Sequence, residues 1–341
     1  MLIQANGTEA LRLSSGPLKV RGVTFKVERL FKNRPAALGL TSTEWFMATA
    51  EPMDENPWDS SHKAVMDGFG VGLAPGFSYA EPDIEHAWPS PYTSEEMMGA
   101  AGANPCEFRP NDKFWPPAPS FTWFLEDKYS GLRSARNAVD HRKVRIGHID
   151  TGYSEHLTKP RNLNTALQWN FVEGKEDAHD PGIEGFLNQP GHGTGTLAIL
   201  AGNVLQGLTQ GNQNTGEPLG GAPDAEIVPV RVANSVLHFF TSGLAQAFDY
   251  IIAPRGDPSK RCDVVSLSMG GVASKVWAEA VNRAYEAGVC LVAASGNNFT
   301  GGAVASVVYP ARFHRVIAAC GICSDNTPYY RKGKFTEMQG N

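Results

Sequence analysis

Charge of one sign is scarce in this sequence: 30 Lys and Arg stand against 35 Asp and Glu, a net charge of −5, without long runs of either sign. That balance argues against a protein that coats nucleic acid or lies on a membrane surface, and leaves proteins or small molecules as partners. Unbroken apolar runs of bilayer length are absent as well. The two long uncharged stretches, 232–248 and 287–310, are interrupted by Gly, Asn, Ser or His and read as buried core. Residues 1–20 contain Glu9, Arg12 and Lys19 and no apolar run of signal-peptide length, so a cytoplasmic location is expected. Cysteine is sparse and odd in number (Cys106, Cys262, Cys290, Cys320, Cys323). Most of the five sit within apolar runs, which suits reduced, packed thiols better than a disulfide framework. Core material is plentiful: 42% of 341 residues are apolar and 19% charged, enough for about two domains.

Punctuation divides the chain into an N-terminal region 1–87, a connector 88–121 and a larger region 122–341. Within the first, a strand-like Val23–Val27, a helix-like patch from Ser60 to Met66 and an extended segment into Tyr79-Ala-Glu-Pro-Asp83 suggest a small α+β unit over about 21–87. The connector holds Pro89, Pro91, Pro105, Pro110, Pro116 and Pro117 and is expected to be exposed. A helix is expected over 122–139 from the spacing of Trp123, Leu125, Tyr129, Leu132 and Ala135. After it, strands at 144–149, 227–232, 264–267, 289–293 and 316–319 alternate with helices at 194–200, 242–252 and 274–287. The last helix carries an apolar stripe of Val276, Trp277, Ala280, Val281, Ala284 and Tyr285 and stops at Gly288. Repeated βα units predict a doubly wound, mostly parallel α/β sheet with helices on both faces, whose ligands bind beyond the carboxyl ends of the strands.

Three polar residues fall where such a sheet places a site. Asp150 closes the first strand, His192 lies in Gly191-His-Gly-Thr194 where a helix begins, and Asn297 follows the strand that ends at Ala293. A carboxylate bonded to one imidazole nitrogen fixes the tautomer and leaves the other nitrogen to take a proton from a nucleophile. The glycines beside His192 would let a substrate backbone approach. A side-chain amide can donate to the oxyanion formed when a carbonyl is attacked.

From Val144 onward the sequence resembles the subtilisin-like serine peptidases, the subtilases. Five motifs carry the likeness in order: Ile149-Asp-Thr-Gly152, Gly191-His-Gly-Thr194, Gly221-Ala-Pro223 leading into Pro229-Val-Arg-Val232, Ser266-Leu-Ser-Met-Gly-Gly271, and Ala293-Ala-Ser-Gly-Asn297. The resemblance implies a serine endopeptidase acting on polypeptides by acyl transfer. It assigns Asp150 and His192 to the triad, Asn297 to the oxyanion hole, and Ser268, Met269 and Gly270 to the edge strand that pairs with an extended substrate. Upstream, Tyr79-Ala-Glu-Pro-Asp83 is similar to the tail of subtilase propeptides, which implies that residues 21–87 chaperone folding and occupy the cleft until cleaved; an unrelated domain or a partner-binding module is the alternative.

Two departures stand out. The nucleophile motif Gly-Thr-Ser does not occur, so the chain is expected to be truncated, to be inactive as it stands, to leave apolar surface exposed, and to meet its Ser soon after Asn341. The rival is a catalytically inactive subtilase-fold protein that binds a peptide or a partner. Gly195 stands where the family commonly has another His, a change for local packing more than for chemistry.

Other signals have plainer readings. A single Asp-Thr-Gly cannot make an aspartic dyad without a symmetric dimer. Gly191-His-Gly-Thr-Gly195 lacks the Lys of a phosphate loop. Cys320-Gly-Ile-Cys323 has no second close Cys pair for zinc, so thiols at the end of a buried strand are expected. His148 reads as a packed, satisfied histidine. Asp177, His179 and Asp180 cluster oxygen ligands for which calcium is conceivable, but they form no recognisable calcium loop and read as solvated charges, so no cofactor is expected. Trp123, Trp169 and Trp277 read as core anchors.

Overall fold

The computed structural model describes residues 1–6, 10, 13–33, 43–51, 57–68, 77–87, 122–182, 190–204, 209–210, 213–214, 216–235, 238–299, 307–322, 330–332 and 337–340. The connector 88–121 lies outside the described residues.

The N-terminal unit is an antiparallel sheet of five strands: β1 (Leu2–Asn6), β2 (Leu18–Val20), β3 (Val23–Arg29), β4 (Thr43–Ala50) and β5 (Phe77–Glu81), in the order β2-β3-β4-β1-β5. The unit therefore starts well before residue 21, because β1 pairs with both β4 and β5 and holds the sheet together. Period-two alternation assigns its two faces. Ile3, Phe25 and Phe46 pack with Ala64 of helix α1 (Pro57–Gly68), while Leu2, Leu30 and Trp45 turn the other way and join the core of the larger unit. A short strand β6 (Glu85–Ala87) follows.

Between 122 and 139 the expected continuous helix is broken. Trp123–Leu125 is a single 3-10 turn, and helix α2 (Leu132–Ala138) begins only after Gly131, whose φ of 66° interrupts the α path.

The remaining strands are β7 (Arg145–Asp150), β8 (Trp169–Asn170), β9 (Thr209–Gln210), β10 (Gln213–Asn214), β11 (Glu226–Arg231), β12 (His238–Phe240), β13 (Val264–Leu267), β14 (Cys290–Ala294), β15 (Asn297–Phe299), β16 (Val316–Ala319), β17 (Tyr330–Lys332) and β18 (Glu337–Gly340). Six of them form a parallel sheet in the order β16-β14-β13-β7-β11-β8. The helices are α3 (His192–Ala201), α4 (Thr241–Ile252) and α5 (Lys275–Glu286). This is the expected doubly wound α/β architecture. The chain builds outward from β7 in one direction through β11 and β8 and in the other through β13, β14 and β16, so the carboxyl end of β7 lies at the reversal of strand order where such sheets bind ligands.

The faces of the sheet separate by alternation. Ile149, Val228, Val230, Val265, Leu267, Leu291 and Ala293 pack against α4 and α5, whereas Ile146 and Ile227 pack with Leu197 and Ala201 of α3. Helix α5 buries Val276, Trp277, Ala280, Val281 and Ala284 as expected, with Ser274 Oγ accepting the Trp277 N–H at its start. Tyr285 differs: it is 51% exposed in the last turn, where its ring lies under the Arg315 guanidinium.

The thiols also depart from expectation. Cys262 is buried, and burial pushes its thiol up to about 12. Cys290 and Cys320 are exposed, because Cys290 opens its strand and Cys320 follows the edge strand β16, whose Ile317 is 57% exposed. Cys323 lies outside the described residues. Of Trp123, Trp169 and Trp277, only Trp277 is wholly buried; Trp169 sits half-buried against Phe171, Tyr250 and Arg255, and Trp123 stacks edge-on to Tyr129. Among the described residues no helix is long and apolar enough to cross a membrane.

Candidate active site

Asp150 is the last residue of the central strand and is fully buried, while His192 is the first residue of α3 and keeps 28% of its side chain exposed. Strand end and helix start bring the pair together: His192 Nδ1 lies 2.8 Å from Asp150 Oδ1. The same oxygen accepts the Thr151 N–H at 2.7 Å. Burial alone would push the Asp150 carboxyl up, but the His192 imidazole and the Thr151 N–H outweigh it and hold the carboxyl below its ordinary value. Burial would likewise lower His192, but the hydrogen bond and charge of Asp150 prevail and raise it. A carboxylate ionised in a dry site and bonded to Nδ1 leaves Nε2 as the proton acceptor; among the described residues nothing bonds that nitrogen.

Of the two glycines beside His192, Gly193 acts differently from the expectation, while the space around Gly191 is open. Gly193 meets the protein's own backbone rather than a substrate: a Cβ there would lie 2.0 Å from the Gly152 carbonyl oxygen. Gly152 itself has a φ of 102°, with Ala178 O 2.3 Å from the position of a Cβ. Both residues lack side chains so that the first turn of α3 can rest on the turn after β7, which fixes the Asp150–His192 distance.

Asp180 also departs from the expectation. It is buried, not solvated, and its Oδ2 accepts the Gly191 N–H at 2.8 Å while Oδ1 accepts the Gly182 N–H at 2.9 Å. It therefore anchors the turn that delivers His192. Asp177 Oδ1 accepts the His179 N–H in the same loop. His148 is packed, as expected, but its surroundings are polar: Nε2 lies 2.8 Å from Thr196 Oγ1, and Thr196 Oγ1 donates to Asp150 Oδ2 at 3.1 Å. Alternation puts His148 and Asp150 on one side of β7, and Thr196 lies one turn after His192 on α3, so the signal for this cluster is present in the sequence.

Asn297 opens β15, and its side chain lies outside the described residues. Ser268, Met269 and Gly270 leave the carboxyl end of β13, with Met269 buried and Gly270 against Val308 and Tyr309.

The N-terminal unit is seated next to this edge. Its strand β6 pairs antiparallel with β12, just before α4. The ring of His86 stacks against both Phe239 and Trp277, with centroids 4.9 and 5.0 Å away, in a cluster whose other two rings also contact each other, and its Nε2 lies 3.0 Å from Thr241 Oγ1. Gly271 has no side chain where a Cβ would strike that ring at 2.6 Å. Two carboxylates of the Tyr79–Asp83 segment cap helices of the larger unit. Glu81 accepts from Ser274 Oγ at 2.8 Å and from the Lys275 and Val276 N–H groups at 3.3 and 3.1 Å, at the start of α5. Asp83 Oδ1 accepts the Ser242 N–H at 2.9 Å, at the start of α4, whose own N-cap Phe240 offers no side-chain acceptor. Orphan N–H groups and the positive ends of both helices are thereby satisfied from outside. Further along α4, Asp249 Oδ2 accepts the N–H groups of Lys32 and Asn33 at 2.9 Å each and its Oδ1 pairs with Arg283 at 3.0 Å.

Comparison with known proteins bears on the same residues. The Subtilase family profile matches residues 141–337. Subtilisin DY of Bacillus licheniformis is 29% identical over 186 residues, 53% of this chain and 57% of that protein. Subtilisin Savinase of Lederbergia lenta is 32% identical over 179 residues, 51% of this chain and 54% of that protein. The minor extracellular protease Epr of Bacillus subtilis (strain 168) is also 32% identical over 179 residues, but the match covers 23% of that longer protein. The chain thus spans about half the length of the first two relatives. The matched span opens just before β7 and takes in Asp150, His192 and the whole six-stranded sheet, and the chain belongs to the Subtilase family.

Proposed function

We propose that this protein is a serine endopeptidase that cleaves polypeptides by acyl transfer. His192 acts as general base and then as general acid, Asp150 holds its tautomer and stabilises the imidazolium, and the Asn297 amide donates to the oxyanion. The nucleophile is a serine outside residues 1–341, since the family's Gly-Thr-Ser motif does not occur among them. Ser268, Met269 and Gly270 pair with the extended substrate. The observation that carries this reading is the 2.8 Å contact between a wholly buried carboxylate and a partly exposed imidazole at the strand-order reversal.

The N-terminal unit, in this reading, is a propeptide-type domain that templates α4 and α5 and covers the cleft until the connector is cut. Its support is the pair of caps that Glu81 and Asp83 place on two helices at once. The test is cleavage of an unfolded polypeptide by the protein extended with the sequence that follows Asn341. Turnover, accompanied by self-cleavage within 88–120 and abolished in His192→Ala, is expected. Binding of peptide without turnover in the extended protein would contradict catalysis and favour the peptide-binding rival.

A further inference from the structure

The second oxygen of the Asp150 carboxylate has a partner that the acyl-transfer scheme does not use. We propose that Thr196 and His148 are positioning residues that brace Asp150 from behind, through a hydrogen-bonded series from His148 Nε2–H to Thr196 Oγ1–H to Asp150 Oδ2. The proposal deepens the peptidase reading and rests on it.

The proton assignment follows from which atoms have partners. His148 is 1% exposed, and its Nδ1 has no hydrogen-bond partner among the described residues. A proton on Nδ1 would be a buried, unsatisfied donor, costly to leave unmade. The proton therefore belongs on Nε2, which then donates to Thr196 Oγ1 over 2.8 Å. Having accepted there, the hydroxyl has one proton to give and two acceptors, each at 3.1 Å: Asp150 Oδ2 and the Gly193 carbonyl oxygen. The carboxylate is the ionised one, and a charge-assisted bond is the stronger choice. Burial keeps His148 neutral by lowering its basicity, with His192 acting in the same direction and Asp150 against it. It is therefore a fixed donor and not a second base.

The consequence is orientational. With Oδ2 held by Thr196 and Oδ1 shared by Thr151 N–H and His192, the carboxylate plane cannot turn away from the imidazole. His148 lies on the same strand face as Asp150 and Thr196 one helical turn from His192, so both elements of the site carry one reacting and one bracing residue.

The test is nitrogen-15 NMR of the histidine rings in the full 341-residue chain, which needs no turnover. In the unaltered chain, His148 is expected to be in the Nε2–H form at the ordinary imidazole midpoint and above while His192 titrates above the ordinary imidazole value. Thr196→Val keeps the side-chain shape and removes the hydroxyl; the His192 midpoint is expected to fall by roughly half a pH unit or more, and Thr196→Ser to restore it. His148→Gln, which can still donate, is expected to disturb His192 less than His148→Phe. A His192 midpoint unchanged or raised in Thr196→Val, with native circular dichroism, would overturn the proposal, as would a His148 ring protonated on Nδ1. Loss of peptidase activity in every form of the protein would instead count against the acyl-transfer reading and leave these NMR outcomes standing.

Discussion

Two sets of carboxylates serve this chain by opposite means. Asp150 is balanced by a titratable side chain, His192. Glu81 and Asp83 are balanced by backbone N–H groups at helix starts, which never change charge. The first arrangement is fixed inside one unit, by strand, turn and helix packed through Gly152 and Gly193. The second spans two units and exists only while they are docked. A titratable carboxylate–imidazole pair thus sits beside an interface built from fixed dipoles, and each should respond to substitution and to pH in its own way.

The largest expected effect separates the two directly. In the protein extended past Asn341, Asp150→Asn should lower kcat by about 10⁴-fold while docking of the N-terminal unit is retained, because the amide reverses the tautomer of His192 without altering the docked face. Steady-state kinetics together with protease protection of the 88–121 segment measure both. Equal loss of docking and activity would break the distinction.

The converse substitution comes next. Glu81→Ala combined with Asp83→Ala removes acceptors from two helix starts and should weaken docking by about 1–4 kcal/mol, at about 0.5–2 kcal/mol for each cap. The Asp150–His192 pair should keep its geometry. The readout is faster cleavage of the connector by an added protease, with the His192 NMR titration unchanged.

A smaller effect sharpens the comparison through pH. Burial lowers His86 to about 4 in the docked state, against about 6.5 when free. The neutral ring's contribution to docking is full above pH 6.5 and is lost as pH falls from 6.5 toward 4, by up to about 3 kcal/mol. His192 moves the opposite way: its raised value means that activity appears as pH rises through a midpoint above the ordinary imidazole value. Thermal unfolding and protease protection between pH 4 and 7 test the first, with His86→Phe expected to flatten the dependence.

The sequence carried the parallel sheet because each strand is a short apolar run closed by turn residues and α4 and α5 have regular apolar faces. It carried Asp150 and His192 because each ends or starts an element at the sheet's carboxyl edge. What it hid depends on contacts between distant segments. Gly193 looks like a substrate-facing glycine until Gly152 is seen against it. Asp180 looks like a loop charge until Gly191 N–H is seen to bond it. The 122–139 helix fails because a single left-handed Gly131 overrides the periodicity around it. The apolar strand before Cys320 predicts a buried thiol, yet β16 is the sheet's edge, and position in a sheet is set by topology rather than by local composition.

The most direct measurement is covalent labelling of the extended protein by a fluorophosphonate, with the modified residue located by mass spectrometry and the rate followed against pH. The account predicts a single labelled serine outside residues 1–341, a rate that rises with pH through the His192 midpoint, and no labelling in His192→Ala. Absence of labelling once the N-terminal unit has been removed by cleavage, or labelling that persists unchanged in His192→Ala, would contradict it.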